Sequence, residues 1–262
     1  GLVDPELVAA AMTDSTVLVS VMAVNNEIGV IQPLAELGAL CRARGVLLHT
    51  DAAQATGKVA LDVDAMQIDL LSISGHKMYA PKGIGALYTR RRPRARLLAE
   101  ISGGGQERGN RSGTLPVPLV VALGEAAEVA GSEMSAEGTR LAGLRAAMLD
   151  NLRASHADVF VNGSVDQRVP GNLNVGFPGV DAEALMAAME SVAISTGSAC
   201  TSASVEPSYV LRALGLEDPE AGASIRIGFG RFTTETEVDI AAKLIAAAVG
   251  AQRGDSSARA AE

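Results

Sequence analysis

Short apolar runs alternate with amphipathic stretches along the first half of the chain. VLVSVMAV (17–24), VLLHTDAA (46–53), DLLSISG (69–75) and GIGALYTR (83–90) have the length and the apolar, β-branched content of strands. Between the first two lies PLAELGALCRARG (33–45). There Leu34, Leu37 and Cys41 recur on one helical stripe, arginines fill the last turn and Gly45 ends the pattern, which predicts a helix over 34–44. GLVDPELVAAAMTD predicts a further amphipathic helix entered at Pro5. Strands and helices in this order make the fold class α/β with a largely parallel sheet.

The pattern changes after the loop ISGGGQERGNRSGT (101–114). Two long Ala-rich helical patterns cover about 116–153. DVFVNG, NLNVGF, DAEALMAAMES, VAIST, PSYVLRALGL and ASIRIGFG follow as a mixture of short strands and helices. A final helix opens on Thr234 and Glu237, spaced as a capping box. This half reads as a smaller α+β domain. The expected division is a large domain over 1–133, a small domain over 134–251 and a tail over 252–262, where RGDSSARAAE is small and polar enough to stay disordered.

Composition narrows the function classes. The chain has 262 residues, 48% of them hydrophobic, enough for a substantial core. A net charge of −8 leaves no broad basic surface, so nucleic-acid binding is not expected; the one basic run, RRRPRAR (90–96), reads as a solvated turn. No apolar run is long enough to span a membrane, and the first residues lack the basic-then-apolar pattern of a secretory signal. Two cysteines make no disulfide framework and point to a reducing compartment. Three scattered histidines offer no metal-ligand spacing, so no intrinsic metal is expected.

Candidate chemistry lies mostly at strand ends. In SISGHKMYAPKG (72–83), Lys77 stands beside Ser74 and His76, where an amine could condense with a carbonyl cofactor while the hydroxyl and imidazole hold an anion. An ordinary polar strand exit would place the same residues there. LLHTDAAQ puts Asp51 and Gln54 at the end of another strand. Ligands of open α/β sheets bind beyond the carboxyl ends of strands, so Asp51 and Lys77 are expected at one crevice, with Asp51 facing a cation such as a protonated pyridine or else capping a helix. Asn25 and Asn26 in VNNEIGV read as turn residues or as amides reaching a ligand. Cys200 lies among small residues in STGSACTSASVEP, as an exposed nucleophile or a harmless loop cysteine; Cys41, on an apolar stripe, reads as inert. Arg226, between Ile225 and Ile227, needs an anion, either a ligand carboxylate or an internal salt bridge.

Together and in this order, VNNEIG, DAAQ, SGHKMYAPKGIGALY, GGGQERGNRSGT, GSACTSASVEPSYVLRALG and SIRIGFGRFTTE closely resemble the cysteine desulfurases, the pyridoxal-phosphate enzymes of iron–sulfur cluster assembly. The similarity runs over about residues 16–250. It implies the aspartate-aminotransferase-like fold, pyridoxal-phosphate fold type I, with an incomplete large domain and a smaller α+β domain. It also implies that Lys77 carries pyridoxal 5′-phosphate, that Asp51 faces its pyridinium nitrogen, and that Gln54 and Asn26 bond its ring hydroxyl. Ser74 and His76 would hold the phosphate, with Thr114 reaching across from the other subunit of a homodimer. Arg226 and Asn26 would grip the carboxylate of L-cysteine, and Cys200 would take the sulfur as a persulfide. Cys200 would then pass it to an iron–sulfur scaffold or another acceptor protein, with a transient role as a cluster ligand.

The resemblance places the protein in a bacterial cytoplasm or, alternatively, a mitochondrial matrix. Relative to the family, a front portion carrying a Gly/Thr phosphate turn and a ring-stacking histidine is not among these residues, so weak cofactor retention is expected of them alone. The competing readings are a selenocysteine lyase, a non-catalytic fragment or scaffold of a desulfurase, and a persulfide carrier that dispenses with the cofactor.

Overall fold

In a computed structural model of the chain, residues 1–92, 95–197 and 208–254 are described. They divide into two units: Val3–Val24 with Gln32–Met134, and Gly1–Leu2 and Asn25–Ile31 with Ser135–Glu262.

The first unit begins with α1 (Pro5–Ala11), entered through Asp4, whose Oδ1 accepts from Glu6 N at 2.8 Å. A four-stranded sheet follows in the order β1 (Leu18–Ser20), β2 (Leu47–Asp51), β3 (Leu70–Ser74), β4 (Gly85–Thr89). The first three strands are parallel, and β4 returns antiparallel to β3. The connection 75–84 is too short for a crossover helix, which leaves only the antiparallel return open. β1 keeps three residues of the apolar run at 17–24.

Between β1 and β2, α2 (Leu34–Ala43) buries Leu34, Leu37, Gly38 and Cys41, the predicted stripe. Gly38 is fixed by space, because a Cβ there would lie 1.9 Å from the Met66 carbonyl oxygen. Leu48 and Thr50 of β2 are fully buried while Leu47, His49 and Asp51 point the other way, the period-two alternation of a strand. Under the sheet, buried Asp69 accepts from Leu48 N at 3.0 Å and pairs with Arg42 at 3.1 Å and Arg90 at 3.4 Å.

The two Ala-rich patterns form one helix, α3 (Val117–Ser155), 39 residues long. Its only proline is Pro118, in the first turn, where a missing N–H costs nothing, so no break separates the patterns. The helix starts in the first unit and ends in the second.

The second unit is built on an antiparallel sheet ordered β5 (Phe160–Val161), β6 (Asn172–Gly176), β7 (Ser224–Gly228). One face carries Leu173, Val175, Ile225 and Ile227, packed with Leu144, Met148 and Leu152 of α3 and with Val238, Ala242, Ile245 and Val249 of α7 (Glu235–Arg253). The other face carries Asn172, Asn174, Ser224 and Arg226. Three short helices, α4 (Ala182–Ala187), α5 (Tyr209–Ala213) and α6 (Asp218–Gly222), connect the strands. The helix α7 opens with the expected capping box, Thr234 Oγ1 accepting from Glu237 N and Glu237 Oε2 from Thr234 N.

Three further expectations change here. VAIST contributes a single bridge, Ser195 to Arg226, rather than a strand. Gln252 and Arg253, expected in the tail, form the last turn of α7, held by Arg253 bonds to Asp158 at 3.1 and 3.0 Å; residues 255–262 lie outside the described set. Asn25–Ile31 belongs with the second unit rather than with residues 1–133. Its Ile28 and Val30 are buried with Leu211 and Ala221, and Val30 bridges Arg168. Burying two such side chains contributes roughly 1.5–3 kcal/mol each, enough to draw a short segment out of its sequence neighbourhood.

Candidate active site

In the first unit, β2 ends at Asp51 and its parallel neighbour β3 ends at Ser74, with Asp51 in register beside Ser72. Beyond Ser74 the chain turns through a 3₁₀ helix, Gly75–Met78, which carries His76 and Lys77 outward and buries Gly75 and Met78. Ser74 Oγ lies 3.1 Å from His76 Nδ1, so hydroxyl and imidazole form one polar pair beside the lysine. Lys77 is exposed, and its amine has no partner among the described residues.

The turn is packed flat. A Cβ on Gly75 would lie 2.9 Å from Ile84 O, and one on Gly85 would lie 2.4 Å from Ile73 O. Tyr79 follows at φ 69°, a left-handed conformation that a bulky residue adopts only when its surroundings impose it. No helix follows Asp51: its Oδ1 accepts from Ala53 N at 2.8 Å to close a turn, and the carboxylate stays exposed. Gln54 is half-buried in the turn after Asp51, and Thr114 is exposed ahead of α3; neither hydrogen-bonds another described residue.

A second cluster forms within the other unit. Arg226 Nη1 donates to Asn26 O at 2.9 Å, joining two residues 200 positions apart. Among the described residues Arg226 makes no ion pair. Ser195 and Arg226 exchange two backbone hydrogen bonds, at 3.2 and 2.6 Å, which fixes the strand-like approach to Gly197. Cys200 lies outside the described residues.

Sequence reasoning missed the polar face around Arg226. Asn162 Nδ2 donates to Asn174 Oδ1 at 2.7 Å and to Ser224 Oγ at 2.9 Å, and Asn172 and Asn174 both donate to Glu27 O, at 3.1 and 3.2 Å. The alternation N-L-N-V-G-F was the available signal. Beside it, burial pushes the Arg168 guanidinium down to about 10, with the charge of Arg145 acting in the same direction; Arg168 bonds the carbonyls of Ser164 and Asn162 and the amide oxygen of Asn172. The Cys41 thiol is pushed up by burial and by the charge of Asp69, in keeping with an inert core cysteine.

Residues 1–240 match the family model "Aminotransferase class-V". This chain belongs to the class-V aminotransferase family. Among its relatives, the cysteine desulfurase IscS of Aeromonas hydrophila is 56% identical over 253 residues, 97% of this chain and 62% of that protein. The cysteine desulfurase IscS of Rickettsia bellii is 56% identical over 245 residues, 94% of this chain and 60% of that one. A solved NifS-like protein superposes with a TM-score of 0.83 at 32% identity, covering 94% of this chain and 64% of that structure. The class-V chain thus spans about three fifths of the length of the curated relatives it matches. Its α/β architecture, with a mostly parallel sheet and a smaller antiparallel one, is that of the pyridoxal-phosphate fold type I enzymes. Among the described residues no helix is long and apolar enough to cross a membrane, and no cluster of three His, Cys, Asp or Glu side chains could hold a metal ion.

Proposed function

We propose that this chain carries the cofactor platform and the sulfur-accepting thiol of a pyridoxal-phosphate-dependent cysteine desulfurase. The observation that carries this reading is the arrangement at the ends of β2 and β3: Asp51 on one strand, and the Ser74–His76 pair with the exposed Lys77 amine on the next. The donor set suits the cofactor group by group. An amine matches its aldehyde, hydroxyl and imidazole match its phosphate, and a carboxylate matches its ring nitrogen. Gln54, Asn26 and Thr114 are assigned supporting contacts to it, with Thr114 serving the partner subunit of a homodimer.

When bound, the cofactor would supply an electron sink that acts through the substrate's Cα on the electron pair left when sulfur departs from Cβ. The chain's own residues do the rest. Arg226 orients L-cysteine by its carboxylate, for which a guanidinium fork is the matching donor. Lys77 Nζ, exposed and without a partner among the described residues, holds and returns a proton. Cys200 Sγ bonds the substrate sulfur as the substrate's carbon–sulfur bond breaks, and a proton replaces sulfur on carbon. L-Cysteine and a thiol thereby give L-alanine and a Cys200 persulfide, with no external oxidant, because the carbon is reduced as the sulfur is oxidised. A sulfur-acceptor protein, such as an iron–sulfur scaffold, then takes the persulfide sulfur, and the reduced thiols this requires suit a bacterial cytoplasm.

The test is L-cysteine added to the complete, pyridoxal-phosphate-loaded protein, with alanine quantified and Cys200 examined by mass spectrometry. Alanine together with one added sulfur on Cys200, both lost in Lys77→Ala, is the expected result. No alanine, or alanine without sulfur on Cys200, overturns the reading.

A further inference from the structure

Two consecutive peptide units in the turn Asn25–Ile31 have every polar group bonded. In the first, Asn26 O accepts from Arg226 Nη1 at 2.9 Å, and Glu27 N donates to Asn25 Oδ1 at 2.9 Å. In the second, Glu27 O accepts from Asn172 Nδ2 at 3.1 Å and from Asn174 Nδ2 at 3.2 Å, and Ile28 N donates to Asn25 Oδ1 at 3.0 Å. A peptide unit is planar, so bonds on both of its edges set the direction in which Asn26 O points. The turn and the sheet that holds it belong to one unit of the fold.

The two amides on Glu27 O are themselves oriented from behind. Arg168, 4% exposed, can only donate, and its Nη1 meets Asn172 Oδ1 at 3.1 Å. The Asn172 amide nitrogen is thereby left to face Glu27 O. Ser224 Oγ spends its proton on Glu220 O at 2.9 Å and accepts from Asn162 Nδ2 at 2.9 Å. The same Asn162 nitrogen donates to Asn174 Oδ1 at 2.7 Å, which turns the Asn174 nitrogen towards Glu27 O. Flipping either asparagine amide would break a bond at each of its ends, in a place where lost partners are not replaced by water.

Asn174 is the cross-strand partner of Arg226 between β6 and β7, so the two side chains stand side by side on the same sheet face. They grip successive carbonyls of one turn, Glu27 O and Asn26 O. The guanidinium is a planar fork of five donors, so restraining it at Nη1 restrains where the other donors point.

We propose that Asn172 and Asn174 are positioning residues for substrate recognition: they fix the turn whose Asn26 carbonyl aims Arg226, and thereby the carboxylate that Arg226 holds. The inference rests on the desulfurase reading above, which assigns the substrate carboxylate to Arg226.

The test uses the complete, cofactor-loaded protein and two ligands that carry no sulfur and so are not desulfurated. One is L-alanine, and the other is ethylamine, the same amine without the carboxylate. Binding is read from the cofactor absorbance change. Asn174→Ala is expected to weaken L-alanine about fivefold, the order of one lost hydrogen bond, and to leave ethylamine within about twofold of wild type. Asn172→Ala is expected to do the same. In an Arg226→Ala background, Asn174→Ala is expected to change L-alanine binding by less than about twofold, since both act through one group. In the cofactor-free protein, the arginine reagent phenylglyoxal is expected to modify Arg226 at least about twofold faster in either asparagine variant, as followed by mass spectrometry.

Equal losses for both ligands, or no loss for L-alanine, overturn the proposal, as does an undiminished effect of Asn174→Ala in the Arg226→Ala background. If Asn174→Ala does not fold, Asn172→Ala decides by the same readouts. A wild-type protein that binds L-alanine no better than ethylamine sinks the assignment of the carboxylate to Arg226 instead. The phenylglyoxal comparison then decides whether the asparagines fix that side chain, and unchanged rates overturn the proposal.

Discussion

In the parallel sheet, Asp51, Ser74, His76 and Lys77 sit at or just beyond the carboxyl ends of β2 and β3, exposed or half-buried. In the antiparallel sheet, Asn172, Asn174, Ser224 and Arg226 line a whole face, the first three buried. The difference lies in what polarity costs. Groups at strand ends keep water as a partner and need little protein support, so they are spread along short contiguous stretches. Groups on a covered face must find partners within the protein, so each is tied into a network reaching from Glu27 to Ser224. Chemistry at strand ends is accordingly cheap to alter, and chemistry on the covered face is structural as well as functional.

The largest expected effect tests whether the parallel sheet lacks such dependence altogether. Asp69 is a buried polar hub there, and Asp69→Ala leaves Arg90, 8% exposed, with the exposed Asp64 as its remaining carboxylate among the described residues. A loss of about 3 kcal/mol in urea unfolding is expected, as for breaking a buried ion pair; a loss below about 1 kcal/mol would mean that Arg90 is carried by Asp64 and carbonyls alone.

Next comes Asn174→Leu, which removes an acceptor from Asn162 and a donor from Glu27 O. It is expected to cost about 2 kcal/mol by the same measurement, and a neutral result would break the contrast between the sheets. Lys77→Ala, at a strand end, is expected to change stability by less than about 0.5 kcal/mol while abolishing alanine formation.

The smallest effect is a pH dependence. Arg253 hydrogen-bonds Asp158 and holds its carboxyl below the usual aspartate range. A depressed folded-state value contributes stability above the ordinary aspartate range, and this is lost as pH falls below that range and through the lowered folded-state value. The urea midpoint of Arg253→Gln is therefore expected below wild type near neutrality, with the gap closing in acid. A gap that persists unchanged in strong acid would assign the effect to the Arg253 bond to Pro178 O instead.

Legibility in the sequence followed the same divide. The α2 stripe, the Thr234 capping box and the strands carrying Asp51 and Ser74 were readable because each is set by residues a few positions apart. So were Lys77, Ser74 and His76, which share one short stretch. Glu27 was not readable, because its partners lie 145–181 residues away and its neighbours Asn25 and Asn26 account for the turn without it. The two Ala-rich patterns form one unbroken α3, since no proline follows Pro118 within it to end the first. Arg226 is readable as a charge in need of a partner, but the partner it has among the described residues is a backbone carbonyl, which no pattern of side chains announces.

The placement of Asn25–Ile31 also sets a schedule for the newborn chain. These residues leave the ribosome well ahead of the asparagines that hold Glu27 O, which come at least 145 residues later. At translation speeds of about 5–20 residues per second, the segment waits roughly 7–30 s for them, while β2, β3 and the strand-end residues can already pair. The covered face therefore completes after the first sheet, and the long reach of its contacts slows it further.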